Sequence, residues 1–436
     1  MTSKRFCGSA EHPRLTRRGF LGGLATAGAT AFASDMTSLN VLGAPDLSAE
    51  LLKNQKRCIL LWLAGGASQM ETWDPKPGAA TGGPFRSIQT STPGVHISEL
   101  MPKMAKRFKD TAIIRSLNTK NGDHGGAALM MMRGRVNESN LAYPDLGAVL
   151  AKEFGIPDSP APDYVSFYMA TEGRGMAPGT PGFLGSRYAP MEMYKGNIPD
   201  NMRKPENINE VDHRERAELR DALSKHFEQG RAAYALDSHT EAYKRVRGLM
   251  GSEKLFDISK EPQKMRDRYG PTLFGEQTLI ARRLVEAGVP FVRVGRAWWD
   301  SHGQNFETHS EMVPELDHVM ATLLDDLEER GLLKNTLVVT LAEFGRTPSI
   351  NSSLGRDHFA SAWSCSLSGA GIKGGSVYGK TDPTGNKVIE GEIGAARLFA
   401  TIYKALGIDP QKNYYVGSRP VPLTEPNTKP VLEVLA

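Results

Sequence analysis

The residues RCILLWLAGG at positions 57–66 form an apolar run that does not alternate and that ends in paired glycines. A strand covered on one face alternates apolar with polar residues, whereas one covered on both faces does not. The run therefore predicts a buried parallel strand meeting a loop. TAIIRSL (111–117), the end of EQTLIARRLVEAGVPFVRVG (276–295) and TLVVTLAEF (336–344) predict three more strands. Helical patterns stand between and after them. They are ALMMMRGR (128–135), a charged amphipathic stretch from 208 to 250, the start of 276–295, SEMVPELDHVMATLLDDLEERG (310–331) and GEIGAARLFATIYKALG (391–407). Gly331 and Gly407 sit where helix C-caps belong. Residues 67–98 and 155–205, rich in Pro and Gly, read as a long loop and as irregular excursions. Alternating strands and helices imply an α/β domain over 56–436, with a mostly parallel sheet and helices on both faces.

In such sheets ligands lie beyond the C-terminal ends of the strands. Chemistry-bearing residues follow all four predicted strands. Ser68, Glu71 and Asp74 follow the first, and Asp123 and His124 the second. Asp300, His302 and His309 follow the third, and Glu343, Arg346, Arg356, Asp357 and His358 the fourth. Four of the chain's ten histidines fall in these segments. Imidazole with carboxylate suits zinc, manganese or iron. Each residue also has a structural alternative: Asp74 as a turn former, Asp123 as a helix cap, Glu343 with Arg346 as an ion pair, and His309 as a helix start. Trp298 and Trp299 read as cleft wall or core, and His96, His213, His226, His239 and His318 as surface residues.

Charge narrows the partners. The formal charge is +4, but residues 1–33 hold Lys4, Arg5, Arg14, Arg17 and Arg18 against Glu11 alone, so the remainder is near neutral. No nucleic-acid partner is expected from such a balance. The same segment, with Arg17-Arg18 before a Gly/Ala-rich run and Ala31-Phe32-Ala33, reads as a twin-arginine export signal over 1–33. A linker over 34–55 follows. The expected destination is the periplasm or the exterior, with no later segment apolar enough to span a membrane. Cys58 and Cys365 remain after Cys7 leaves, too few for a disulfide framework or a cysteine-based zinc site. Cys58, inside an apolar strand, reads as a small buried hydrophobe.

Several segments together resemble a known family. GGASQMETWDPKPG, NGDHGGAALMMMRGR, WWDSHGQNFETH, EFGRTPSIN, GRDHF and GIKGGSVYGKTD look like the exported proteins of domain of unknown function 1501, placed in the alkaline-phosphatase-like superfamily of phosphatases and sulfatases. The resemblance implies a doubly wound sheet and one or two divalent metals, zinc or manganese, held by Asp and His at strand ends. It also implies action on phosphate or sulfate esters, including those of carbohydrates. This sequence departs from the superfamily pattern. Its first strand ends in Ala64-Gly65-Gly66 where a ligating Asp is usual, so that ligand is missing or replaced by Asp74. The sulfatase nucleophile position falls on His124, and the fourth strand offers Glu343-Phe344 in place of Asp-His. The expected metal ligands are Asp74, Asp300, His302, His309, Glu343, Asp357 and His358. His124 is expected as nucleophile or acid/base, with Arg346 or Arg356 clamping the anion. The alternative is a binding or envelope protein with a degenerate metal site on the same fold.

Overall fold

The computed structural model describes residues 54–436 apart from 137, 139, 157–158, 160, 168–176, 195, 200–208 and 229–251. The expected signal and linker lie outside the described residues, except for the linker's last two positions. The strands of the main sheet are β1 (Arg57–Leu63), β2 (Thr111–Leu117), β3 (Tyr164–Phe167), β4 (Met191–Met193), β5 (Phe291–Arg296), β6 (Thr336–Leu341), β7 (Trp363–Gly369) and β8 (Val377–Tyr378). Their order is β8-β2-β7-β6-β1-β5-β3-β4. β1 pairs in parallel with both β5 and β6, in register Cys58 to Phe291 and to Leu337. β7 alone runs antiparallel, to β2 and to β6. Every residue of β1 and β6 is buried, so side chains on both faces of the sheet are covered, as a run without alternation requires.

Five helices do most of the covering: α1 (His124–Arg133), α2 (Leu146–Phe154), α3 (Leu273–Glu286), α4 (Asn305–Glu329) and α5 (Ala395–Ala405). The crossover from β2 to β3, which carries α1 and α2, moves one way across the sheet. Those carrying α3 and α4 move the other way. Right-handed crossovers then place the two pairs on opposite faces. The helix starts are locally encoded. Asp123, Asp145 and Thr272 each accept a backbone N–H of the first turn, from Gly126, Ala148 and Gly275. Gly134 ends α1 in the left-handed region at φ 74°.

Several expectations shift. Residues 155–205 are not wholly irregular, since they hold β3 and β4, strands of four and three residues that are too short to show a period. The fourth predicted strand stops at Leu341, which frees Glu343 from the ladder. The helix expected at 128–135 begins at His124 and ends at Arg133, so its first turn carries the imidazole. That expected at 310–331 begins at Asn305, which places His309 inside it. Of the charged stretch, Glu210–Glu228 is helical and 229–250 lies outside the described residues. No helix among the described residues is long and apolar enough to cross a membrane. Cys58 and Cys365 are both free and buried.

One consequence matters most for the site. The C-terminal ends of β1, β2, β5 and β6 share an edge of the sheet. Because β7 is antiparallel, its N-terminal end, preceded by residues 355–362, lies at that same edge.

Candidate metal centre

At this edge stand three imidazoles, three carboxylates and one guanidinium. Asp300, just past β5, is the hub. Its Oδ1 lies 3.1 Å from His302 Nε2 and 3.3 Å from His358 Nε2, and its Oδ2 lies 3.3 Å from His124 Nε2. The two nitrogens His302 Nε2 and His358 Nε2 are 3.0 Å apart. One ligand atom from each of His124, Asp300 and His358 lies within 4.8 Å of the other two.

The far nitrogens fix the tautomers. His124 Nδ1 faces Glu343 Oε1 at 2.8 Å, His302 Nδ1 faces Asp357 Oδ1 at 2.8 Å, and His358 Nδ1 faces the Gly122 carbonyl at 2.8 Å. These partners only accept, so each Nδ1 carries the hydrogen. Each Nε2 of a neutral ring is then a lone pair, and all three lone pairs converge on a carboxylate. Acceptors crowded in this way repel one another unless a cation sits among them. An imidazole whose Nδ1–H is held by an oxygen while Nε2 points inward is the usual arrangement around a bound metal. His124 Nε2 has only the 3.3 Å approach to Asp300 Oδ2, so its lone pair remains available to an ion. The residues present fit one divalent cation.

Without metal, protons take that role. Burial alone would lower the His124 pKa, but the hydrogen bonds and charges of Asp300 and Glu343 raise it to about 9. Burial likewise opposes the charge on Asp300, yet hydrogen bonds from His124 and His358 and the Arg346 guanidinium hold its carboxyl well below the usual range. Fully buried Glu343 is shifted up, its desolvation only partly offset by His124.

The fold reaches this geometry through two close approaches of backbone. Gly65, after β1, has φ +107°, and a Cβ there would lie 2.5 Å from the Asp300 nitrogen. Its N–H donates to Glu343 Oε1 at 2.8 Å. A Cβ on Gly355 would lie 1.9 Å from the His302 carbonyl oxygen, so the loops carrying His302 and His358 touch there. Phe344 walls the centre, its ring 4.9 Å from that of His124 and 4.4 Å from that of His358. Phe344, which cannot ligate, stands where the superfamily resemblance expects a histidine.

Glu343 and Asp357, expected as ligands, stand behind His124 and His302, and four further expected site residues lie elsewhere or are already engaged. Asp74 is buried against Lys76 at 2.8 Å and Thr381, away from the hub. His309, wholly buried in α4, accepts from the Ser68 N–H at 3.1 Å and bonds the Asn305 carbonyl at 2.8 Å, so neither nitrogen is left for a metal. Desolvation lowers its pKa and keeps it neutral. Arg356 is fully buried in an ion pair with Glu71 at 2.8 Å, with further bonds to the carbonyls of Thr81, Thr347 and Pro348. Arg346 is also fully buried. It binds Asp300 at 2.5 Å and the carbonyls of Gly65, Gly66 and Arg356. Neither fork is open to an incoming anion. Both arginines anchor loops, since each ties the excursion between β6 and β7 to the segment that follows β1, Arg346 at Gly65 and Gly66 and Arg356 at Glu71 and Thr81. Asp123 is the helix cap that its alternative reading allowed.

Three supporting residues escaped the sequence reading. Gln69 exchanges two hydrogen bonds with the Arg346 backbone, at 2.7 and 2.9 Å. Asn351 donates to the His302 carbonyl at 2.9 Å and to Asp357 at 3.3 Å. The Gly65 N–H is the third. Backbone-directed roles such as these leave no residue-type signature. Only the density of polar residues around the ligands hinted at them.

Solved structures similar to this chain include three ester hydrolases. The PsFucS1 sulfatase from Pseudoalteromonas sp. is 13% identical with a TM-score of 0.38, over 86% of this chain and 72% of that one. The alkaline phosphatase from the Antarctic bacterium TAB5 is 13% identical with a TM-score of 0.37, over 82% and 99%. The phosphonate monoester hydrolase of Agrobacterium radiobacter is 13% identical with a TM-score of 0.32, over 83% and 75%. These likenesses are loose, so the chemistry of the centre has to be taken from its own atoms. No curated protein matches the chain. A family model does, over residues 55–435, and the chain therefore belongs to the family described as "Protein of unknown function (DUF1501)".

Proposed function

We propose that this protein is an exported, metal-dependent hydrolase of phosphate or sulfate esters, on the scaffold of the alkaline-phosphatase-like superfamily. The observation that carries the proposal is the convergence of three Nε2 lone pairs on the Asp300 carboxylate, each ring held from behind by an oxygen. The twin-arginine motif supports export, and the family resemblance supports the ester class.

His124, Asp300 and His358 would hold the ion, zinc or manganese by donor type. Once bound, it would polarise an ester oxygen and neutralise charge in the transition state. Glu343 orients His124 through its Nδ1–H, and Arg346 fixes the Asp300 carboxylate and keeps it ionised. His302 is the most open of the three imidazoles, with a side chain 47% exposed. Asp357 holds its Nδ1–H, so Nε2, at the open side of the hub, is the nitrogen that would take a proton from water or return one to the leaving oxygen. His124 occupies the position where the sulfatase resemblance expects a nucleophile. With its Nε2 turned to the hub it serves as a ligand, and water is the attacking group. That absence of a hydroxyl or thiol also supports the rival reading, a protein that binds anionic esters without turnover.

Metal analysis of the full chain purified after export tests the proposal. One tightly held divalent ion, lost in His358→Ala, with hydrolysis of an aryl phosphate or aryl sulfate, is the expected result. Native protein that takes up neither zinc nor manganese in a titration would overturn it.

A further inference from the structure

The chain has five tryptophans, and four are core: Trp62, Trp73, Trp299 and Trp363 are each at most 2% exposed. Trp298 is 60% exposed. Its neighbours Ala297 and Trp299 are both fully buried. The Trp299 N–H is tied to the Ala64 carbonyl at 3.1 Å, so the loop is anchored on both sides while one indole is turned out. The backbone there is unfavourable as well. Trp298 sits at φ 76°, in the left-handed region that is unfavourable for a side chain with a Cβ. Burying an indole elsewhere would relieve the exposure and, with a different backbone, the strain. The fold does neither.

The strain is not randomly placed. Among the described residues, the non-glycine residues at positive φ are Lys120, Trp298, Gln304, Leu354 and Asn427. Asn427 is the type that tolerates such a backbone. The other four lie in the loops that carry His124, Asp300, His302 and His358. Leu354 is 62% exposed, and its carbonyl accepts the Asn305 N–H at 3.0 Å, which joins its loop to the one that follows Trp298. Trp298 is two residues from Asp300, at most about 7 Å along the backbone.

We infer that Trp298 is a sugar-stacking platform at the rim of the metal centre, and that the ester substrate is carried on a carbohydrate. A pyranose ring presents an apolar C–H face to a flat indole and a periphery of hydroxyls to polar neighbours. The rim offers both. The loop of Trp298 also carries the exposed His302 and Gln304, and it meets the loop of the exposed Ser352, Ser353 and Asp357 through Gln304 N–H to the Ser353 carbonyl at 3.0 Å and His302 to Asp357 at 2.8 Å. A lipid surface or a protein partner would call for a contiguous apolar patch, and among the exposed side chains of these loops only Trp298 and Leu354 are apolar. A nucleic acid would call for a basic track, and among the exposed residues of the loops that carry His124, Asp300, His302 and His358, Lys120 is the one lysine or arginine. The inference uses the ester-hydrolase reading only to place the reacting group at Asp300.

Intrinsic fluorescence tests it directly, because Trp298 is the one exposed indole. Short oligosaccharides from carrageenan, fucoidan, chondroitin sulfate and starch are titrated into the full chain, with acrylamide quenching and zinc content followed in parallel. At least one of them should shift the emission and protect it from acrylamide. Trp298→Ala should weaken that sugar about tenfold or more, and Trp298→Phe should recover part of the affinity. Tyr415→Ala, at an exposed aromatic on the 413–422 hairpin, should change nothing. Sugar affinity unchanged in Trp298→Ala would overturn the inference. So would silence toward every oligosaccharide, or a response only to single-stranded oligonucleotide or phosphatidylglycerol vesicles. Zinc content separates the two readings. Metal bound but sugar silent rejects the platform alone, whereas sugar bound through Trp298 in a protein that takes up no metal rejects the hydrolase alone.

Discussion

Glu343 and His124 stand 219 positions apart and meet at 2.8 Å, Oε1 to Nδ1. The same carboxylate oxygen accepts the Gly65 N–H at 2.8 Å. One atom thus ties the ends of β6 and β1 to the start of α1, and it does so behind the imidazole rather than in front of it. Glu343 is an orienting residue, and its loss should be felt through His124.

Glu343→Gln keeps the size of the side chain and removes its charge. Zinc affinity is expected to fall about 10–100-fold, as for other partners behind a ligating histidine. Asp300→Asn or His358→Ala should abolish tight binding. Calorimetric titration with zinc distinguishes them, and a Glu343→Gln protein that binds like the parent would show the pair to be idle.

The metal-free protein should lose stability as pH rises. His124 is raised in the folded state to about 9 from an ordinary value of 6.5. Its stabilising contribution is therefore complete below about pH 6.5 and is lost as pH climbs through 9. The upward shift of Glu343 acts in the same direction at lower pH. Thermal unfolding in EDTA from pH 6 to 10 should show this decline, and added zinc should flatten it, since the ion replaces the proton. A flat profile without metal would contradict the assignment.

Proton transfer is assigned to His302, the imidazole most open to solvent. His302→Asn should lower kcat by about 10²–10⁴ with aryl esters while zinc remains bound. Asp357→Asn should produce a smaller loss and shift the pH profile. Loss of metal in either variant would instead make His302 a ligand.

Arg356 and Glu71 form a pair with no exposed surface on either side chain. Arg356→Met leaves Glu71 buried and unpaired, which should cost about 3–5 kcal/mol in urea unfolding. Adding Glu71→Met should restore much of that. A cost below about 1 kcal/mol would mean that the pair is open to water.

Gly65→Ala tests the close approach of the β1 and β5 loops. The new Cβ meets the Asp300 backbone at 2.5 Å, and the φ of +107° strains any side chain. A loss of about 1–3 kcal/mol is expected, together with weaker zinc binding as Asp300 moves. Destabilisation without any change in zinc affinity would show that the hub shifts as a unit.

Local sequence determined the elements and the composition of the centre. The apolar-rich, non-alternating runs at 57–63, 111–117 and 336–341 became strands covered on both faces, because two-sided burial tolerates such runs. Carboxylates and imidazoles after them lay at one edge, because parallel strands share a direction. Tertiary structure alone decided the rest. The antiparallel course of β7 brings His358 to that edge from the wrong end of a strand, and nothing local marks it. Arg346 and Arg356 looked like open clamps and are interior struts, while Trp298 and Trp299, adjacent and identical, went to opposite fates. Helix, strand and cap are set by contacts a few residues apart. Whether a charged group faces solvent, a carbonyl or another charge depends on chains brought together across hundreds of positions, and no short window holds that information.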